Sequence, residues 1–253
     1  HRDSDASILR GATDEAIAAL ENKVGAHPED GAFLTARLLD LYASDPRFLD
    51  NADVLAQASL ARWPDFAAAH MALGAVCLWR GEREKAGRAF AHVARLAEQV
   101  GHERECFGAS LAAAGLLADS APLAAIPLLQ QALELRPDHK VALDRLIAAL
   151  QEEETADAAF EAVRALPPER APDELLFLRA ESWEERRKWP EAAKDLATLH
   201  ARAEARADVG TERRVARRLA ALTLERLYDD RAAQLLYQRA LVIDPDDVAS
   251  AEA

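Results

Sequence analysis

One spacing recurs along this chain and limits what it can fold into. In AAQLLYQRALVIDPDD (residues 232–247) a small residue stands at Ala233, a large one at Tyr237, a small one at Ala240 and a proline at Pro245. The first three share one face of an α-helix, because side chains three and four apart lie one above the other. The proline ends the helix: it has no N–H to donate and its ring clashes with the preceding turn. Ala125, Leu129, Ala132 and Pro137 repeat the whole pattern. Ala52, Ala56, Ser59 and Pro64 repeat it with a small second residue, and Ala16, Leu20 and Pro28 with Lys23 at the third place. Ala86, Phe90 and Val93 lack the proline, and Ala159 with Val163 and Ala192 with Leu196 are weaker copies.

The leading small residues therefore fall at 16, 52, 86, 125, 159, 192 and 233, separated by 36, 34, 39, 34, 33 and 41 residues. Gly74, Ala113, Ala180 and Ala221 stand twelve before four of them, while Ile147 takes that place before Ala159. Small residues at both positions let two antiparallel helices approach closely. A period near 34 built of helical hairpins resembles the tetratricopeptide repeat, over residues 13 to 247. The resemblance implies an all-α fold, a right-handed α-solenoid of tandem hairpins forming one array over 1–253. Its hairpins are expected at 13–30 (partial), 31–66, 67–105, 106–139, 140–172, 173–213 and 214–247. The separations of 39 and 41 imply lengthened hairpins, and SDPRFLDN before Ala52 an enlarged turn. VASAEA after Pro245 reads as the start of another first helix, and the chain opens at His1 without methionine. A portion of a longer protein is the expectation.

Composition agrees. Half the residues are hydrophobic but only 6% aromatic, an alanine- and leucine-rich balance that favours helix. The net charge of −13 argues against nucleic-acid binding, which needs a basic surface to displace phosphate counterions. It thereby disfavours the related pentatricopeptide repeats, which read RNA. No run approaches the length of apolar residues that spans a membrane. The localisation read from this is soluble, cytoplasmic or periplasmic, with two cysteines too few for a disulfide scaffold. Five of the 31 basic residues are lysine, leaving 26 arginines, a bias typical of GC-rich bacterial genomes.

No catalytic motif, metal-ligand set or cofactor loop is present. His102 and Cys106 could supply half a zinc site, but an exposed histidine at a helix junction is the preferred reading. Cys77 reads as a small buried hydrophobe, and Glu152, Glu153 and Glu154 as a solvated turn. Arg213, Arg214, Arg217 and Arg218 make a basic face whose expected partners are glutamates of the neighbouring hairpin. Trp63 and Trp189, beside Pro64 and Pro190, read as plugs at turns.

In proteins similar to this one the first helix of each hairpin lines a concave groove. Residues six before, one after and five after the small contact residue point away from the partner helix. From Gly74 this selects Ala68, Ala75 and Trp79, flanked by Met71 and Leu78. From Ala113 it selects Phe107, Ala114 and Ala118, flanked by Ser110 and Leu117, and from Ile147 it selects Val141, Ala148 and Glu152. Ala180 gives Glu174, Glu181 and Glu185, with Phe177 and Glu184 alongside; Ala221 gives Val215, Leu222 and Arg226, with Arg218 beside them. Trp79 and Phe107 read equally as groove aromatics or as core, and the glutamate ladder as a docking stripe or a solvated face. The overall reading is a non-catalytic scaffold that binds a protein or peptide with apolar and basic residues, in bacterial multiprotein assembly. The alternative is a regulatory or substrate-recognition domain of a larger enzyme or signalling protein.

Overall fold

The computed structural model describes residues 2–26 and 31–243, and among them the fold is all-α, with thirteen α-helices and no strand. These are α1 (Arg2–Ala26), α2 (Gly31–Ser44), α3 (Leu49–Arg62), α4 (Ala67–Trp79), α5 (Arg83–Gln99), α6 (Glu103–Leu117), α7 (Pro122–Leu135), α8 (Lys140–Gln151), α9 (Ala156–Val163), α10 (Asp173–Glu185), α11 (Trp189–Ala205), α12 (Val209–Leu222) and α13 (Asp230–Ile243). The chain forms two compact units, His1–Leu135 and Arg136–Ala253. The first contains the hairpins α2–α3, α4–α5 and α6–α7 behind α1; the second contains α8–α9, α10–α11 and α12–α13. Within each unit consecutive helices pack together, and first helices also touch, α2 with α4 and α8 with α10. Such near-in-sequence packing is how stacked helical hairpins bury a continuous core.

The small residues read from the sequence are the contact points. Ala52, Ala86, Ala125, Ala159, Ala192 and Ala233 are all buried, as are Gly74, Ala113 and Ala180 on the facing helices. An added Cβ at Gly74 would lie 2.5 Å from the Phe90 ring, and one at Gly87 2.7 Å from Leu117 Cγ. Two positions are corrected. Ala16 is exposed and its neighbour Ile17 is buried in its place, because α1 is one continuous helix whose apolar side is set by Ile17, Leu20 and Val24. Ala221 is half-buried whereas Ala220 is fully buried. A π-helical turn at Thr223–Leu227 adds a residue between α12 and α13, so the contact lies thirteen rather than twelve before Ala233.

Helix ends follow local chemistry. Pro64 and Pro137 follow the ends of α3 and α7; Pro28, Pro245 and the VASAEA stretch lie outside the described residues. The enlarged turn before Ala52 holds a 3₁₀ turn, Pro46–Phe48, capped by the Asp45 side chain. Apart from α1, the longest helices are α5 and α11, 17 residues each, where the repeat is lengthened. Gly81, at φ +77°, closes α4: its N–H bonds Leu78 O while the Glu82 N–H bonds Cys77 O. This paired capping needs a left-handed residue. Arg187 and Ala207 adopt the same conformation after α10 and α11, which explains why the glycine of this turn is missing from those repeats.

The arginine excess also has a structural use. Arg47 reaches Asp14, Arg80 reaches Asp50 and Asp53, Arg95 reaches Asp65, Arg202 and Arg206 reach Asp173, and Arg239 reaches Glu212. Each pair joins residues 27 to 33 apart; those of Arg47, Arg80 and Arg95 link neighbouring repeats, while those of Arg202, Arg206 and Arg239 tie together the two helices of one hairpin. Individually such partly exposed pairs contribute about 0–1 kcal/mol, but they discriminate against a slipped stack. The exception in burial is Arg179, 2% exposed. Its guanidinium grips Asp195 at 2.7 and 2.8 Å and donates to the carbonyls of Val163 and Leu166. It thereby ties α10 to α11 and caps the eight-residue α9.

Candidate functional site

In the first unit, α4 presents Ala68, Met71, Ala75 and Leu78 along one stripe, at spacings of three, four and three. Met71 and Leu78 are 47% and 42% exposed, and Trp79 beyond them 56%. Of the two readings of Trp79, the surface one therefore holds. Met71 and Ala68 form a ridge between two hollows. The smaller, about 360 Å³, lies against α2 and is walled by Ala36, Leu39 and Ala43. The larger, about 740 Å³, is floored by Phe90, Val93, Leu96 and Ala97 of α5 and walled on its far side by Gly108, Ala109 and Ala112 of α6. Its lining is mainly apolar, with Asp65, Gln99, His102 and Glu105 as its polar members. The hollow exists because α4 and α6 both put small residues towards it, so that largely buried α5 side chains form its floor.

The α6 stripe expected to line the groove is instead buried: Phe107, Ser110, Ala114 and Leu117 are core. Ser110 Oγ donates to Gln131 Oε1 of α7 at 2.6 Å, which places α7 over this stripe. Residues buried on α6 cover an arc of about 160° on a 3.6-residue helix, wider than a single-contact stripe, so positions about 100° from Ala113 fall inside it. The other flank, Gly108 and Ala112, faces the hollow; the signal was two small residues four apart, which the sequence reading passed over.

In the second unit α10 carries the glutamate ladder. Glu174 and Glu185 are exposed, but Glu181 and Glu184 each accept from Arg218 at 3.0 Å. Although burial opposes its charge, these two carboxylates hold the Arg218 guanidinium above its ordinary pKa. Phe177 lies beneath both Arg214 and Arg218, at 4.7 and 5.2 Å from the ring centre. Arg226 lies over Trp189 at 5.2 Å. Half the ladder is thus spent on an internal contact, as expected for the basic face of α12. Val215 and Leu222 are buried, a correction that follows from the π-turn: measured from Ala220, the outward positions are Arg214, Ala221 and Glu225. Val141, Ala148 and Glu152 on α8 are exposed.

Among the described residues, no three His, Cys, Asp or Glu side chains lie where they could hold a metal. Cys106 is buried and His102 exposed; burial raises the thiol pKa of Cys106 and, together with Glu82, that of Cys77. Neither thiol has the electropositive setting that makes a nucleophile. No described helix is long and apolar enough to cross a membrane.

The sequence matches no protein-family model and no curated protein. Among solved structures it is similar to a chain of the crystal structure of the APC/C hetero-tetramer Cut9–Hcn1, at 15% identity and a TM-score of 0.31. That likeness covers 95% of this chain and about half, 51%, of the other.

Proposed function

We propose that this chain is a non-catalytic scaffold of the tetratricopeptide type, which binds a protein segment in the apolar trough of its first unit. The observation that carries this reading is the open hollow of about 740 Å³ behind the half-exposed Met71. Isolated exposed apolar residues are ordinary, but a contiguous apolar concavity rimmed by polar groups marks a binding surface. With Asp65 paired to Arg95, Glu105 is the lining carboxylate that favours a segment whose apolar side chains enter the hollow while a basic one stays outside. The partner class is the one read from the sequence, with the α4 part of the expected groove kept and the α5 and α6 lining of the hollow added to it. Assembly of a multiprotein complex, in a bacterium if the arginine bias reflects its source, is the role such a surface serves.

Selection of amphipathic peptides from a display library against the whole chain tests this reading. Selected peptides should carry apolar anchors, and Met71→Glu or Ala112→Phe should weaken them by about 2 kcal/mol, the range of a buried anchor, without loss of helicity. Peptides that bind both variants as tightly as the unaltered chain would place the site elsewhere.

A further inference from the structure

The trough of the first unit has two hollows, and we infer that together they seat one amphipathic helix of a partner protein, with two apolar anchors seven residues apart and basic flanks. This rests on the reading of the trough as a protein-binding surface and gives that surface a specific occupant. The smaller hollow lies between α2 and α4, the larger between α4 and α6. Met71 and Ala68 line both, so a single half-exposed methionine divides them.

Geometry selects the helix. The hollows sit on either side of α4, so their centres are separated by one helix-to-helix spacing, about 8–10 Å. Side chains at i and i+7 of an α-helix share a face and are separated by a rise of about 10.5 Å. In an extended segment, side chains on one face fall about 6.6 or 13 Å apart, and neither interval fits. Residues i+3 and i+4 of such a helix pass over Met71, so they must be small. The hollows also differ in size. The larger, about 740 Å³, admits an aromatic anchor, whereas the smaller, about 360 Å³ and walled by Leu39, suits an aliphatic one.

Charge fixes the flanks. Each hollow is lined by an exposed carboxylate, Asp40 on α2 and Glu105 on α6. Neither is paired with a cation among the described residues, unlike Asp65, which holds Arg95. Because α2 and α6 flank α4 on opposite sides, a lysine or arginine beyond each anchor meets one of them. The net charge of −13 draws such a basic segment towards the chain. Apolar anchors at helical spacing, laid into a groove, are an established way for one protein to take up a helix of another.

Fluorescence anisotropy with the whole chain provides the test, using short labelled, alanine-rich helical peptides. The reference peptide carries phenylalanine and, seven residues away, leucine, with alanines between them and a lysine beyond each anchor; it is made in both chain orders and the tighter is kept. Moving the leucine to five residues from the phenylalanine, at the same composition, should weaken binding at least about tenfold. Ala36→Phe, which fills the smaller hollow, should weaken the reference peptide about tenfold but not a peptide with alanine in place of the leucine. Asp40→Lys should reverse the preference between lysine and glutamate beside the leucine. It carries the test if circular dichroism shows Ala36→Phe misfolded. Should Ala112→Phe abolish binding while Ala36→Phe and Asp40→Lys leave it intact, the trough stands and the two-hollow assignment falls. A proline-interrupted peptide with the same anchors that binds as tightly would overturn it too. Indifference to all three variants removes both readings. Self-association of the free chain that is lost in Ala36→Phe and competes with the peptides would make a second copy the occupant and likewise overturn the assignment.

Discussion

Replacing Gly74 by alanine adds one methyl group at a close helix–helix contact of the first unit. Its carbon would stand 2.5, 2.8 and 2.9 Å from three atoms of the Phe90 ring, where carbon atoms normally rest at about 3.5–4.0 Å. The ring is buried with Ala86 and Ala113 beside Cys77, Leu116 and Leu128, so the room it has to move lies towards the hollow it also lines. Forcing such a group into a packed core costs about 1–3 kcal/mol. Against this, alanine is favoured over glycine in a helix interior by about 1 kcal/mol. Gly108 supplies the control: it is helical and exposed, and an added Cβ meets nothing within 4 Å. Gly108→Ala should therefore show the propensity gain alone, and the difference between the two variants isolates the clash. Chemical unfolding followed by circular dichroism should place Gly74→Ala about 1–3 kcal/mol below Gly108→Ala. Adding Phe90→Leu should recover part of that gap as a coupling in a double-mutant cycle. Equal stabilisation by the two alanines would mean that α4 and α5 are not in close contact at Gly74, and the account of small residues as contact points would fail with it.

Removing one side of the buried pair, Asp195→Ala, leaves the Arg179 charge without its partner and should cost about 3–5 kcal/mol in chemical unfolding. Ala207→Gly relieves a left-handed alanine and should stabilise by about 0.5–1 kcal/mol, whereas the same exchange at the helical Ala94 should destabilise. Trp79→Ala should lower the melting temperature little, because the ring is more than half exposed, and differential scanning calorimetry checks this. His92 stacks on His70 at 4.9 Å, and burial, with the charges of His70 and Arg95, pushes its pKa below the usual histidine value. The unfolded chain then binds a proton more readily than the folded one. This contribution to stability is fully present above about pH 6.5, the unfolded value, and is lost progressively as the pH falls from there through the lower folded value. Melting curves between pH 7.5 and about 5 should show the loss in the unaltered chain and less of it in His92→Gln.

Sequence alone determined the helices and most of their contact points. A small residue every 34 or so positions can only mean that helix after helix is approached closely at one spot, and Ala52, Ala86, Ala125, Ala159, Ala192 and Ala233 are buried accordingly. That signal is local and periodic, which is why it survives without coordinates. What the tertiary structure decided depends on distances between helices, which spacing does not encode. The π-turn after α12 moved the last contact from Ala221 to Ala220 and turned Leu222 inward. The packing of α5 and α7 against α6 buried Phe107, Ser110, Ala114 and Leu117, while Gly108 and Ala112 on the opposite flank opened the apolar hollow. Arg47, Arg80, Arg95, Arg202, Arg206 and Arg239, legible in the sequence as a compositional bias, became ties between helices, within a hairpin or between neighbouring ones, because their long side chains reach carboxylates 27 to 33 residues away. Arg214, Arg217 and Arg218 were read as a basic face from their spacing. That they enclose a hollow rather than a flat surface follows from α13 standing beside them, a fact of packing that no helical period contains.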